Sequence, residues 1–251
     1  MALAGPWAAQ AEGAIGTAAG IFARLSVFML LLPAIGGQTV PVRVRLSLAF
    51  ALLAMVFPLV PQRLEIAGAP TFALLISEGL VGFILGFTIR VLLFALGITG
   101  SIIAQALSLS QIFGTTADGD SASLLASLLM GAAAVLFLTA DLEVAAIALL
   151  VETFETIPLG SAGTLNSGYA AEEAIAITAD AFRFGVMLAL PFMVLNLTFY
   201  LLLGCLNRVM PQLMVTFIGL PAITLAGLSL LTLTIGGLLT VWMLRMVEVL
   251  P

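Results

Sequence analysis

Hydrophobic positions along this chain come in long runs rather than at the spacing of one amphipathic face. Charge is absent from Val91 to Ala117 and again from Val209 to Leu244, whereas only Gly79 to Ile89 separates Glu78 from Arg90. As one straight helix the second run would be about 54 Å long, against a bilayer hydrocarbon core of about 30 Å. Runs this irregular predict helices that bury themselves against protein as much as against lipid.

Breakers divide the runs into about six helical regions. The first covers Ala14 to Ile35 and ends at Pro33 and Gly36-Gly37. The second runs from Val42 to Phe57, with Pro41 well placed at its start, where a missing N–H is harmless. The third spans Thr71 to Phe113, too long for one straight span, which predicts a break near Gly97 to Ser101. A loop follows, Gly114 to Asp120. The fourth, Ser121 to Thr156, carries Asp141 and Glu143 at its middle and reads as a hairpin or broken helix bent there. Pro158 to Tyr169 is loop. The fifth, Ala171 to Asn207, contains Pro191 as a kink point. The sixth, Val215 to Glu248, has Gly236-Gly237 as a turn point, so the long run there is expected to be bent. No repeat of 20–50 residues is visible. The fold class is all-α, of membrane-type hairpins with kinked or broken long helices.

Composition narrows the function. The chain is 62% hydrophobic and 8% charged, with mean hydropathy +1.26. A soluble domain of this size carries about a quarter charged residues, so this is an integral membrane protein or the hydrophobic part of a larger assembly. Its eight cations are all arginine and it has no histidine. That removes the usual general base, zinc ligand and proton relay. No catalytic, cofactor or metal site is expected. The one cysteine, Cys205, sits in an apolar run and reads as a small packing residue. Net charge is −5 without a basic patch, against nucleic-acid binding. Met1 to Gly20 lacks the positive start of a cleaved leader. Arg43 and Arg45 lie on one side of the second region and Arg63 on the other, so the positive-inside rule does not fix the orientation.

Several polar residues stand out of the apolar background. Arg90 calls for an acid, with Glu78 nearest along the chain, but twelve residues are about 18 Å of helix, out of reach on one rod. A snorkelling helix end or a partner-facing contact are the readings left. Asp141 and Glu143 do not share a helix face and read as a polar bend at a water boundary before an ion path. Gly16-xxx-Gly20 and Gly82-xxx-Gly86 permit close helix contact and read as ordinary packing. The small polar stretch Ser108 to Asp120, between strongly apolar helices, is a candidate pore-lining or plugging segment, because irregular backbone at membrane depth needs cover from protein or water. Its candidate residues are Ser108, Ser110, Gln111, Phe113, Gly114, Asp118 and Asp120.

In order along the chain stand Arg24, Leu32-Pro33, Val40-Pro41-Val-Arg43-Val-Arg45 and Pro58, then Glu78-Gly-Leu-Val-Gly82-Phe-Ile-Leu-Gly86 and Gln105. Next come Leu136-Phe-Leu and Phe154-Glu-Thr-Ile-Pro158-Leu-Gly160. Last are Leu188-Ala-Leu-Pro191, Asn207-Arg208-Val-Met-Pro211-Gln212, Gly219-Leu-Pro221 and Gly227. The set resembles the FliR family of flagellar export-gate proteins over nearly the whole chain. It departs from the family's pattern at Asp141-Leu142-Glu143 (often Gly-Gly-His), Thr153 (serine), Met214 (asparagine), Ile223 (lysine) and Asp118-Gly-Asp120 (Asp-Pro).

The resemblance implies a non-enzymatic subunit that assembles with FliP and FliQ into a closed helical gate passing unfolded flagellar substrates, with FlhB and FlhA as further partners. It implies a bacterial inner membrane and basal-body location, with the gate largely out of the bilayer plane. Residues 1–180 would be a FliP-like part with the plug at about 108–120, and 181–251 a FliQ-like hairpin. Arg24, Arg43, Arg45, Glu78, Arg90, Arg208 and Gln212 are the candidate subunit contacts. The alternatives are an injectisome homologue, or a small-solute transporter or channel, which would want a paired ionisable site and internal repeats.

Overall fold

A computed structural model describes residues 6–37, 40–60, 72–109, 121–161, 167–209 and 215–250. All the regular structure among them is helical: α1 (Pro6–Leu31), α2 (Val42–Val56), α3 (Phe72–Ala106), α4 (Ser121–Thr139), α5 (Leu142–Thr156), α6 (Ser167–Val209) and α7 (Val215–Val249). The all-α expectation holds. Stretches of α1, α3, α6 and α7 are long and apolar enough to cross a membrane, and α4 with α5 forms a fifth such stretch bent by 71°.

The bend falls at Asp141, whose backbone is left-handed (φ 53°, ψ 27°), a conformation that aspartate tolerates better than bulky residues. Glu143 sits in the first turn of α5, where a carboxylate is favoured by the helix dipole. The polar bend read from the sequence is therefore the joint. Pro41 likewise stands directly before α2, and its carbonyl accepts from the N–H of Val44 (3.0 Å) and Arg45 (3.2 Å).

Two expected breaks do not occur. α3 runs unbroken through Gly97 to Ser101. The Thr99 and Ser101 hydroxyls donate to carbonyls one turn back, Ala95 and Gly97, at 2.9 Å each, and Thr99 shares its hydrogen with the Gly185 carbonyl of α6, also at 2.9 Å. A side chain on Gly97 would press on Met130, and one on Gly100 on the Ala126 backbone. These glycines admit α4 to close contact rather than break α3. α7 also continues unbroken through Gly236-Gly237. In apolar surroundings an opened turn would leave backbone groups without partners, which costs more than helical glycine does.

The chain packs as two compact units interleaved in sequence, residues 1–91 with 137–177 and 247–251, and residues 92–136 with 178–246. In the first, the buried side of α1 (Ile21, Leu25, Phe28) is sealed from solvent. In the second, Leu96, Ile103 and Leu107 of α3 are buried with Phe192 of α6 and Ile223 and Trp242 of α7.

Candidate functional site

Arg24 lies two turns before the end of α1, with 0% of its surface exposed. A guanidinium there needs an acceptor for each of its five N–H groups. All five are engaged, by four acceptor atoms. Nε and Nη2 reach Glu78 Oε2 at 2.8 and 2.5 Å. Nη2 also donates to the Ile157 carbonyl at 3.0 Å, and Nη1 to both the carbonyl and the hydroxyl of Thr153 at 3.2 Å. The Phe154 ring lies 4.2 Å from the guanidinium carbon, a cation–π contact in a dry site.

Glu78, also fully buried, accepts a further bond from the Gly160 N–H at 2.9 Å. Gly160 has φ 81°, which an L side chain adopts poorly, so this turn needs glycine for its N–H to reach the carboxylate. The Thr153 hydroxyl donates onward to the Leu150 carbonyl at 2.5 Å. One ion pair thus joins α1, α3, the end of α5 and the turn after it.

Glycines bring these groups within reach. Glu78, Gly82 and Gly86 share one face of α3 at helical spacing. A side-chain carbon on Gly82 would overlap the Arg24 carbonyl, and one on Gly86 would meet Leu31 at 2.8 Å. Gly20 of α1 lies under Leu159, 3.1 Å from where its own side chain would begin. Gly20, Gly82 and Gly86 are packing residues, as their spacing suggests, and Gly20 and Gly82 lie directly against Glu78 and Arg24.

The predicted site residues are only partly brought together. Arg24 and Glu78, expected at subunit contacts, are enclosed and joined to each other. Glu78 thus serves Arg24, 54 residues away along the chain, and not Arg90, which is half-buried. The transporter reading wanted a paired ionisable site. One exists, but with its donors all taken by protein groups it offers no path for an ion. Arg43 and Arg208 are exposed, and Arg45 is half-buried. Ser108 begins the departure from α3 with a left-handed backbone (φ 53°). Ser110, Gln111, Phe113, Gly114, Asp118, Asp120 and Gln212 lie outside the described residues. Cys205, expected to be buried packing, is exposed on α6, because none of the described residues covers that face of α6 there.

Sequence reasoning missed a second set of ties. The Trp242 indole N–H donates to the Leu92 carbonyl at 2.9 Å. Asn196 of α6 donates through its side-chain amide to the Ala106 carbonyl, and Thr224 of α7 to the Leu107 carbonyl at 2.9 Å. A helix leaves its last carbonyls without partners, and here neighbouring helices supply the donors. Gly227, one turn after Thr224, makes room for the Leu107 side chain.

Large apolar residues on α6 and α7 stay bare. Only 17% of the apolar window of α6 and 28% of that of α7 is buried, against 50% in α3. Leu197 and Leu201 of α6 and Leu233 of α7 are more than 60% exposed.

The sequence model of bacterial export proteins, family 1, matches residues 15–249, which takes in every element of the Arg24 centre. The chain belongs to this family. It is similar to the flagellar biosynthetic protein FliR of Caulobacter vibrioides, at 32% identity over 93% of this chain and 94% of that protein. FliR of Escherichia coli is 34% identical over 79% of this chain and 76% of its own length. FliR of Aquifex aeolicus is 30% identical over 84% and 82%. Within the family pattern, Thr153 in place of serine keeps the hydroxyl that Arg24 uses.

Proposed function

We propose that this chain is the FliR subunit of a bacterial flagellar protein export gate, joining FliP and FliQ in a closed helical pore that passes unfolded substrates, with FlhB and FlhA close by. The observation that carries this reading is the family match from residue 15 to 249. The bare apolar faces of α6 and α7 add to it. Exposed apolar patches of this extent mark interaction surfaces or lipid contact, and a hairpin of FliQ type, residues 181–251, would lay them against neighbouring helices. Residues 1–180 would form the FliP-like part. The work is steric and electrostatic, with no catalytic step. The gate's home on this reading is the inner membrane at the flagellar basal body.

The segment 108–120 is the plug on this reading, following the left-handed turn at Ser108. The exposed Arg43 and Arg208, with Arg90 and Gln212, are the subunit contacts. The test is to co-express the tagged chain with FliP and FliQ and purify it in mild detergent. One complex containing all three is expected. A chain that is monodisperse alone and moves a small solute in vesicles would overturn the reading. Deleting 108–120 in the assembled gate should let small dyes leak, and charge reversal at Arg43 or Arg208 should reduce assembly.

A further inference from the structure

α1 and α2 form a hairpin, with Phe22 stacked on Phe50 at a ring separation of 4.9 Å. Between them lies an apolar groove of about 240 Å³. Phe22, Met29 and Leu30 of α1 and Val42 and Leu46 of α2 give it hydrocarbon walls, and Arg45 is its cation. Ser26 also lines it, but its hydroxyl is engaged with the Ala23 carbonyl at 3.2 Å.

The Arg45 Nε–H is buried and has no hydrogen-bond partner among the described residues. A buried donor left so costs about 1–3 kcal/mol, and more when it belongs to a charged group. Every Arg24 donor is met, whereas Arg45 Nε is unmet, a state it shares, among the described residues, only with the acceptor Glu143 Oε2 in the first turn of α5.

We propose that this groove binds one anionic phospholipid, an acyl chain lying between α1 and α2 and the phosphate on Arg45. Three observations favour a lipid. A phosphodiester presents paired oxygens that suit a guanidinium's forked N–H groups, while the walls suit only hydrocarbon. The groove faces Ser26 to Leu30, near the end of the apolar stretch Ala11–Leu31. Arg45 lines the groove at that end, and the end of a membrane-crossing stretch is the level at which headgroups lie above the hydrocarbon. And α2 turns large apolar residues outward: Val44, Leu48, Phe50 and Met55 are all exposed, beside the exposed polar residues Arg43 and Ser47. An acidic side chain from a partner subunit would answer the guanidinium but leave the hydrocarbon walls unfilled.

The experiment is native mass spectrometry on the full chain, alone and in complex with FliP and FliQ, after delipidation. Palmitoyl-oleoyl phosphatidylglycerol, the ethanolamine analogue and inorganic phosphate are added back separately. One phosphatidylglycerol per chain is expected, in preference to the ethanolamine lipid. Retention should fall about tenfold in R45Q, the loss of one charge-assisted contact. It should fall as far in L46W, which fills the groove without touching the charge, and not in R43Q. Equal retention by wild type, R45Q and L46W would overturn the proposal. So would binding of inorganic phosphate alone, or a crosslink from position 45 to an acidic residue of FliP or FliQ in a lipid-free complex. Failure to assemble with FliP and FliQ would count against the gate and leave the lipid measurement on the chain standing.

Discussion

The two ends of α3 are held by opposite kinds of chemistry. Near its start, Glu78 ties it to Arg24 in a closed, charged centre where each Arg24 donor has a protein acceptor. Near its finish, the neutral side chains Asn196 and Thr224 cap the Ala106 and Leu107 carbonyls, with Trp242 on Leu92 further back. A buried ion pair is all-or-none, because removing one partner strands the other. Neutral ties fail one at a time, each for the modest worth of a single hydrogen bond. The first end is built to be immovable. The second is held by bonds that can be given up singly, next to the segment read as the plug.

The largest expected effect comes from Arg24→Ala. It leaves Glu78 as a buried charge, at a cost of about 3–5 kcal/mol. The detergent-extracted chain should lose its monodisperse peak and most of its yield. The double variant Arg24→Met with Glu78→Leu should recover part of that loss, because no lone charge remains. Recovery would be incomplete, because the Ile157 carbonyl and Gly160 N–H keep no partner. If Arg24→Ala extracts and melts like wild type, the contrast between the two ends collapses.

Gly82→Val comes next. Its first carbon would overlap the Arg24 carbonyl, which is backbone and cannot swing aside, so the cost is at the upper part of the overpacking range, about 3 kcal/mol. A lowered melting temperature in thermal-shift size-exclusion chromatography is the readout. A wild-type melt would mean that α1 and α3 are free to separate at the ion pair.

The neutral end supplies the counterpart. Thr224→Val removes the hydroxyl on the Leu107 carbonyl and keeps the shape, so about 1 kcal/mol is expected, with the chain still folded. Thr153→Ser should be silent, since the hydroxyl at 3.2 Å from Arg24 survives. A Thr224→Val loss as large as that of Arg24→Ala, measured by the same melt, would make the two ends alike.

This contrast also explains what can be read from the chain. The bend at Asp141 and the starts of α2 and α7 follow from breakers and apolar runs, which act locally. Glu78 is recognisable as an acid needing a cation, but nearness in sequence points to Arg90. The true partner lies across a helix contact that Gly82 and Gly86 permit, and no spacing rule on one helix contains it. The motif Thr153-Phe154 to Pro158-Leu-Gly160 is visible as a pattern, while its meaning, a shell around Arg24, needs α1 and α5 side by side. Thr99, Asn196, Thr224 and Trp242 leave no trace, because their partners are backbone carbonyls, which every residue carries. The unexpected continuity of α3 and α7 has one cause: glycine reads as a breaker in places where it lets a neighbour approach, or where nothing competes with the helix.

Gly236 turns that last point into the smallest and most discriminating test. A side-chain carbon built there, or on Gly237, meets nothing within 4 Å, and both are exposed on α7. For the chain alone, Gly236→Ala should therefore stabilise by about 1 kcal/mol, the helix-propensity difference, and raise the melting temperature. Gly82 behaves oppositely because its face is already occupied by α1. In the assembled gate the sign at Gly236 reports on the empty face. If a neighbouring helix of FliP or FliQ lies close against α7 there, as small residues permit between membrane helices, the same alanine that stabilises the free chain lowers the yield of complex. Equal gains in both states would place that face against lipid, and the two glycine classes would then differ only in whether this chain itself fills the space.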